Sequence, residues 1–411
     1  MIIMNMTDES ARCLGCKVPQ CSSFCPVKTP VPQVLKLFRE EKIVEAGRIL
    51  FENNPLSAIT SAVCPHERNC YGHCVLGKKG NPIEFYQIEH YISEFYLDTV
   101  HLTPPPPNGK RVAVIGAGPA GMTMSLKLAM KGFNVTLAEA KDKIGGVLRY
   151  GIPDFRLANS LVDKYARVLR DIGVKFKPNT FIGSSLTIDD MFLDGYDAIF
   201  IAVGTAKPRK LGLLGETLGN VHYAIDYLRS PDSYDLGSRI VVIGAGNVAL
   251  DAARMAVRKA PGSSVTVINN RDEDSMTGNP HEIQLAKIDG VSFRHCLSSL
   301  RLTEDAVVAA EVDVKTDDEG KKTFEENMEK IVNIPADTII VAIGQGPQAA
   351  VITGTKVERN DTGLVTVDEN GHTNRPGVFA AGDIVSGPRT VVEAVAFSQK
   401  VADEIVKYCL G

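Results

Sequence analysis

The sequence predicts an α/β protein: a helical N-terminal domain followed by two Rossmann-like units, one interrupting the sheet of the other. Three observations carry this prediction. Seven of the nine cysteines fall between positions 13 and 74. Four successive prolines at 104–107 then form a stiff, extended spacer. Beyond the spacer, two segments repeat one pattern of buried strand, glycine-rich turn and helix.

Composition narrows the function classes. The 411 residues suit two or three domains. With 44% hydrophobic and 23% charged residues, the chain has a globular balance. A formal charge of −4 supplies no cationic field for nucleic acid or a membrane surface. Trp is absent and aromatics reach only 6%, which argues against base-stacking platforms. Residues 1–6 meet Asp8 and Glu9 with no basic leader, and the apolar runs at 198–203 and 339–343 are too short to cross a bilayer. The expectation is a soluble, cytoplasmic protein.

In the first domain the thiols form two groups, C-x2-C-x4-C-x3-C-P (Cys13, Cys16, Cys21, Cys25) and C-P-x4-C-x3-C (Cys64, Cys70, Cys74). Clustered thiols in a reducing compartment point to metal ligation rather than disulfides. The Cys-Pro ending follows the logic by which a ferredoxin's last Cys serves a second cluster. Zinc remains an alternative because His66 and His73 lie among the thiols, as does a redox dithiol. Seven thiolates cannot fill two four-ligand sites, so two clusters require one non-Cys ligand. Cys296 and Cys409 read as ordinary buried thiols. Pro32 opens a helix running through Val34, Leu35, Phe38, Ile43, Ala46, Ile49 and Leu50, and a second helix covers 83–96.

After the spacer, the strand at 111–115 leads into Gly116-Ala-Gly118-Pro119-Ala120-Gly121 and a helix over 122–131. This arrangement aims backbone N–H groups and a helix dipole at a pyrophosphate. The next strand, 135–139, ends in Glu139, the carboxylate expected to bind a ribose hydroxyl. The second copy runs from 240 into Gly244-Ala-Gly246-Asn247-Val248, with a helix over 250–259. Its second strand, 265–268, ends in Asn269, Asn270 and Arg271 rather than an acid. Arg271 suits a 2′-phosphate, Asp272 opposes it, and NADPH is favoured slightly over NADH. Two such sites imply two nucleotides, most simply FAD and a nicotinamide. Strands at 197–205, at 337–345 (with Gly344 after Ile343) and at 377–383 (ending in Gly382-Asp383) close the interrupted sheet, followed by a helix over 391–408. His281 and Glu282 read as a surface pair, and no general acid or base is assigned.

The assembled pattern resembles the glutamate synthase small-subunit family, which includes the NAD(P)H-oxidising part of dihydropyrimidine dehydrogenase. The resemblance rests on both cysteine groups, GAGPAG, Gly145-Gly146, the Gly-Ile-Pro-Asp-Phe-Arg156-Leu segment, GAGNVA and Ala-Ala-Gly382-Asp383. It implies a helical iron–sulfur domain (1–107), an FAD domain in two parts (108–210 and 337–411) and an inserted NAD(P)H domain (211–336). It also implies one [4Fe–4S] cluster on Cys13, Cys16, Cys21 and Cys74. A second would sit on Cys25, Cys64 and Cys70 with Glu89, His90 being the rival ligand. FAD is then expected against Gly118–Gly121, with Pro119 and Ala120 included, Glu139, Gly146, Arg156 and the stretch from Gly382 to Thr390. The nicotinamide nucleotide is expected against Gly246, Asn247, Val248, Asn270 and Arg271. NADPH-using relatives often carry two basic residues where Asn270 and Arg271 stand. A nicotinamide gives two electrons together and a cluster takes one, so a flavin must mediate. The implied role is an electron-input subunit that passes electrons to a partner subunit. The alternatives are a thioredoxin-reductase-like enzyme, a stand-alone flavin reductase of a small molecule, and a zinc-stapled nucleotide sensor.

Overall fold

A computed structural model of the chain describes residues 2–183, 186–317, 319–347 and 355–411. It divides into two compact units. The first comprises Met1–Arg149, Asp154–Thr205 and Pro347–Gly411; the second comprises Tyr150–Pro153 and Ala206–Gly346.

The first unit begins with helices Val31–Arg39, Ile43–Asn53, Ser57–Val63 and Phe85–Thr99. Leu35, Leu50, Ile59, Ile88 and Ile92 are wholly buried among them. The single helix expected from Pro32 to Leu50 is in fact two. Glu41 adopts φ +58°, the Lys42 N–H donates to Leu37 O at 2.9 Å, and the Glu41 N–H donates to Phe38 O at 3.1 Å. Those two bonds form a Schellman stop. It is hidden in the sequence because glutamate, not glycine, occupies the left-handed position.

A five-stranded parallel sheet follows, in the order Val378–Ala380, Ala198–Ile201, Arg111–Ile115, Asn134–Ala138, Lys175–Lys177. Helices Pro119–Ala129 and Val391–Leu410 belong to this unit. Lys164, on helix Asn159–Asp171, reaches back to the cysteine-rich part and binds Glu94 at 2.8 Å and Asp98 at 2.7 Å.

The second unit repeats the design. Its parallel strands run Val221–Tyr223, Thr338–Val341, Arg239–Ile243, Ser264–Ile268, Ser292–Arg294. The strand expected at 337–345 to close the first sheet therefore lies in the second, between two strands of this unit. Asp337 clamps it there, accepting the Ser238 and Arg239 N–H groups at 3.0 and 2.9 Å. An antiparallel sheet of Leu297–Leu302, Ala306–Thr316 and Lys322–Pro335 was not foreseen. Its Leu297, Leu302, Val307, Ala309 and Ile334 pack in one core with Val241, Ile243, Ile268 and Val341.

Two further expectations change. Glu282 is no surface group: it is buried and accepts from Arg254 Nη1 at 2.5 Å, while His281 is exposed. Cys296 and Cys409 are half-buried rather than buried. Among the described residues, no helix is long and apolar enough to cross a membrane.

Candidate functional site

The two glycine turns are built alike. Each starts at the C-terminal end of a central parallel strand, where a neighbouring strand ends alongside. Gly116 has φ +101°, and a Cβ there would lie 2.5 Å from Ala202 O. Gly244 has φ +154°, and its Cβ would lie 2.4 Å from Ala342 O. Only glycine fits either place, so each turn lies flush on its sheet and each helix presents its N-terminus.

At the first turn the helix Pro119–Ala129 starts from Gly118, with Ala120 and Gly121 in its opening turn. The Gly145 N–H donates to Ala117 O at 2.7 Å, and Gly146 lies against the Gly118 backbone. The Glu139 carboxylate accepts the N–H groups of Ala117 at 2.7 Å and Lys141 at 3.0 Å, which fixes an acid beside the turn. Gly382 (φ +79°) approaches Ala120, so the segment bearing Asp383 reaches the same helix start. Burial raises the Asp383 carboxyl to about 6. Thr390 closes a capping box with Glu393, donating to its carboxylate at 2.5 Å, and opens helix Val391–Leu410. Arg156 is half-buried.

At the second turn Asn247 begins the helix, and its Oδ1 accepts the Asn279 N–H at 2.7 Å. The predicted Asn247 side chain thus holds the loop that carries Thr277, whose hydroxyl lies near Gly246 and donates to Ala245 O at 3.3 Å. Val248 is half-buried, whereas Asn270 and Arg271 are exposed just past strand Ser264–Ile268. Gly344 O accepts the Arg209 N–H at 3.0 Å.

The cysteines line two cavities. The first is ringed by Cys13, Cys16, Cys21, Cys70 and Cys74, with Leu35, Val31, Ile83 and Phe85 behind them. The second contains Cys25, Cys64, Cys70 and Glu89, together with Asn54, Asn69 and Val392. Structural zinc takes four Cys or His ligands at about 2.0–2.3 Å. The two histidines that kept zinc open are otherwise engaged. His66 stacks on Tyr86 at 4.1 Å, and His73 stacks on Phe24 at 3.6 Å while its Nδ1 bonds Asn69 O at 2.8 Å.

Glu89 and His90 point to different neighbours on one helix. Glu89 lines the second cavity, and burial raises its carboxyl to about 8. His90 Nδ1 lies 3.1 Å from Ser61 Oγ and 3.0 Å from Ala58 O. Burial also pushes the Cys64 and Cys70 thiols well up, and Cys21 to about 11. Protonated sulfurs and a neutral carboxyl in such pockets are what metal loading must convert to ligands.

Two members of the second site escaped sequence reading. Asn69 Nδ2 donates to Cys64 Sγ at 3.2 Å. Val392 enters the cavity from the start of helix Val391–Leu410. Asn69 lies inside the second cysteine group but carries no ligand chemistry of its own, whereas Val392 comes from a chain segment that meets the cavity only in the fold.

Known proteins share the family and the fold of this chain. Residues 110–397 match the pyridine nucleotide-disulphide oxidoreductase family, and residues 3–100 match the family described as dihydropyrimidine dehydrogenase domain II, 4Fe-4S cluster. FprA from Mycobacterium tuberculosis in complex with NADPH shares the fold (TM-score 0.62, 19% identity, 74% of this chain and 85% of that one). So does Lactococcus lactis thioredoxin reductase (TM-score 0.57, 23% identity, 73% and 99%). Fold and site together define an oxidoreductase with paired dinucleotide-binding sheets. The glutamate synthase [NADPH] small chain of Escherichia coli is 31% identical, covering 97% of this chain and 90% of its own length. That of Azospirillum brasilense is 32% identical, covering 98% and 88%. The chain belongs to the glutamate synthase small-subunit family.

Proposed function

We propose that the protein oxidises NAD(P)H at FAD and delivers the electrons through two [4Fe–4S] clusters to a partner subunit. The observation that carries this reading is the second thiol cavity. Val392 lines it, and Val392 lies two residues after Thr390, the end of the segment proposed to hold the flavin. A cluster in that cavity therefore adjoins flavin-binding chain within one unit of the fold.

The residues present fit these groups. Gly118 and the first turn of helix Pro119–Ala129 offer backbone N–H groups to the flavin pyrophosphate, and Glu139 offers a carboxylate to its ribose. Gly145, Gly146, Arg156, Gly382, Asp383 and Thr390 complete the proposed flavin set. Gly246, Asn247, Val248, Asn270, Arg271 and Gly344 serve the nicotinamide nucleotide. Cys13, Cys16, Cys21 and Cys74 hold one cluster; Cys25, Cys64, Cys70 and Glu89 hold the other. When bound, FAD supplies the conversion between two-electron and one-electron transfer. The protein's work is to bind, orient and exclude water, which requires no general acid or base. A partner is supported by relatives that are themselves subunits: glutamate synthase small chains and, in Moorella thermoacetica, an NADP(+)-dependent formate dehydrogenase subunit beta.

The test is anaerobic purification followed by counts of iron, sulfide, zinc and flavin, then addition of NADPH or NADH. About eight iron, eight sulfide and one FAD per chain, with the flavin bleached by one nucleotide, is expected. Zinc with negligible sulfide overturns the cluster assignment.

A further inference from the structure

The end of strand Ser264–Ile268 presents a contradiction in charge. Arg271 suits a phosphate, yet Asp272 follows it directly, and Asn270 adds no second cation. The unforeseen antiparallel sheet resolves the contradiction. Residues 322 and 324 are two apart on strand Lys322–Pro335, so their side chains share one face. Lys322 Nζ binds the Asp272 carboxylate and lies 3.7 Å from Asp274. The Arg271 guanidinium sits over the Phe324 ring, 5.6 Å from its centre.

The backbone beneath them is pinned. Asn269 is buried, and its Oδ1 accepts the Arg271 N–H at 3.0 Å. The Leu297 N–H donates to Asn269 O at 2.9 Å, and the Cys296 N–H donates to Arg271 O at 3.0 Å. Asp272 also caps the short helix Glu273–Ser275, accepting the Ser275 N–H at 3.0 Å. Its carboxylate is thus turned to a cation and a helix start.

We propose that Lys322 and Phe324 are specificity-determining residues for a 2′-phosphorylated nucleotide. Lys322 acts as a positioning residue that neutralises Asp272, and Phe324 seats the Arg271 guanidinium that binds the phosphate. The inference rests on the second unit being the NAD(P)H domain. The hairpin then supplies the charge correction that Asn270 does not, and the nucleotide preferred is NADPH. Phosphate recognition here is shared between a loop and a strand more than fifty residues later.

The probe is adenosine 2′-monophosphate, titrated calorimetrically into the intact holoprotein beside the 5′-isomer. Lys322→Gln is expected to weaken the 2′-isomer about tenfold and leave the 5′-isomer unchanged. Phe324→Ala weakens it about three- to fivefold, the size of an exposed cation–π contact. The double variant Lys322→Gln/Asp272→Asn restores binding to near the wild-type value, because the charge that Lys322 cancels is gone. In turnover, Lys322→Gln raises KM for NADPH with kcat unchanged. Equal binding of the 2′-isomer by wild type and Lys322→Gln overturns the proposal, as does failure of the double variant to recover. These titrations do not depend on flavin reduction, so failure of both nucleotides to bleach the flavin counts against the proposed function alone.

Discussion

Replacing Gly121 with alanine tests the first nucleotide site most directly. An added Cβ would lie 1.8 Å from Gly116 O, 3.0 Å from Gly116 C and 3.3 Å from Val114 Cγ1. Carbon-to-neighbour contacts are comfortable at about 3.5 Å, so helix and turn must separate by roughly 1.7 Å. The atom that blocks is backbone, which has no rotamer to yield. Hydrogen bonds to phosphate span about 2.7–3.2 Å, so a shift of that size breaks those made by the helix start. Losing two charge-assisted bonds costs about 3–6 kcal/mol, or a weakening of FAD binding on the order of 10²–10⁴. Gly219→Ala is the control, because its Cβ meets nothing within 4 Å. The assay is flavin per chain after purification, followed by FAD titration of the stripped protein. A Gly121→Ala protein that retains one FAD with affinity within threefold of wild type would refute the reasoning.

Glu89→Ala and Cys64→Ser should each lower bound iron to about half while NADPH still bleaches the flavin, read by iron assay and visible absorbance. Unaltered iron in Glu89→Ala removes that residue from the ligand set. Glu282→Gln leaves Arg254 buried with one fewer charge partner, although Asp289 stays 2.7 Å away. A loss of about 3–5 kcal/mol is expected, measured by urea unfolding. Asp383 has its carboxyl raised from 3.8 to about 6 by burial, so the folded protein holds the proton more tightly than the unfolded chain. Its contribution to stability therefore declines as pH rises from about 4 to about 6. Asp383→Asn should flatten that part of the stability profile in thermal melts taken across the range.

What the sequence made legible was local and repetitive. The two glycine turns could be read because each requires an unusual residue at fixed spacing from a strand and a helix. The thiol groups could be read because cysteine is rare elsewhere in the chain. Strand Thr338–Val341 was recognisable as a buried strand, but four buried residues do not say which sheet they join. The sheet over Leu297–Pro335 was invisible because strand Lys322–Pro335 is largely exposed and rich in Glu and Lys, with no alternation to mark it. Glu282 looked like a surface acid because Arg254, its partner, lies 28 residues earlier. These misses involve partners supplied by distant chain, whereas the helix stop at Glu41 is local and was hidden by a glutamate in the left-handed position.

Strand order has a consequence for how the polypeptide emerges from the ribosome. In the parallel sheet of the second unit the last strand made, Thr338–Val341, occupies an interior position between Val221–Tyr223 and Arg239–Ile243. Until it arrives, both of those strands present unpaired edges, and more than ninety residues are synthesised in the interval. The carbonyl of Ala342, which seats the Gly244 turn, comes just after it. Synthesis therefore leaves a gap in the middle of a half-built sheet, the kind of open edge that invites pairing between nascent chains. Crowded translation should burden this unit, and a holdase that covers strand edges until residue 342 clears the exit tunnel should raise the yield of nucleotide-competent protein.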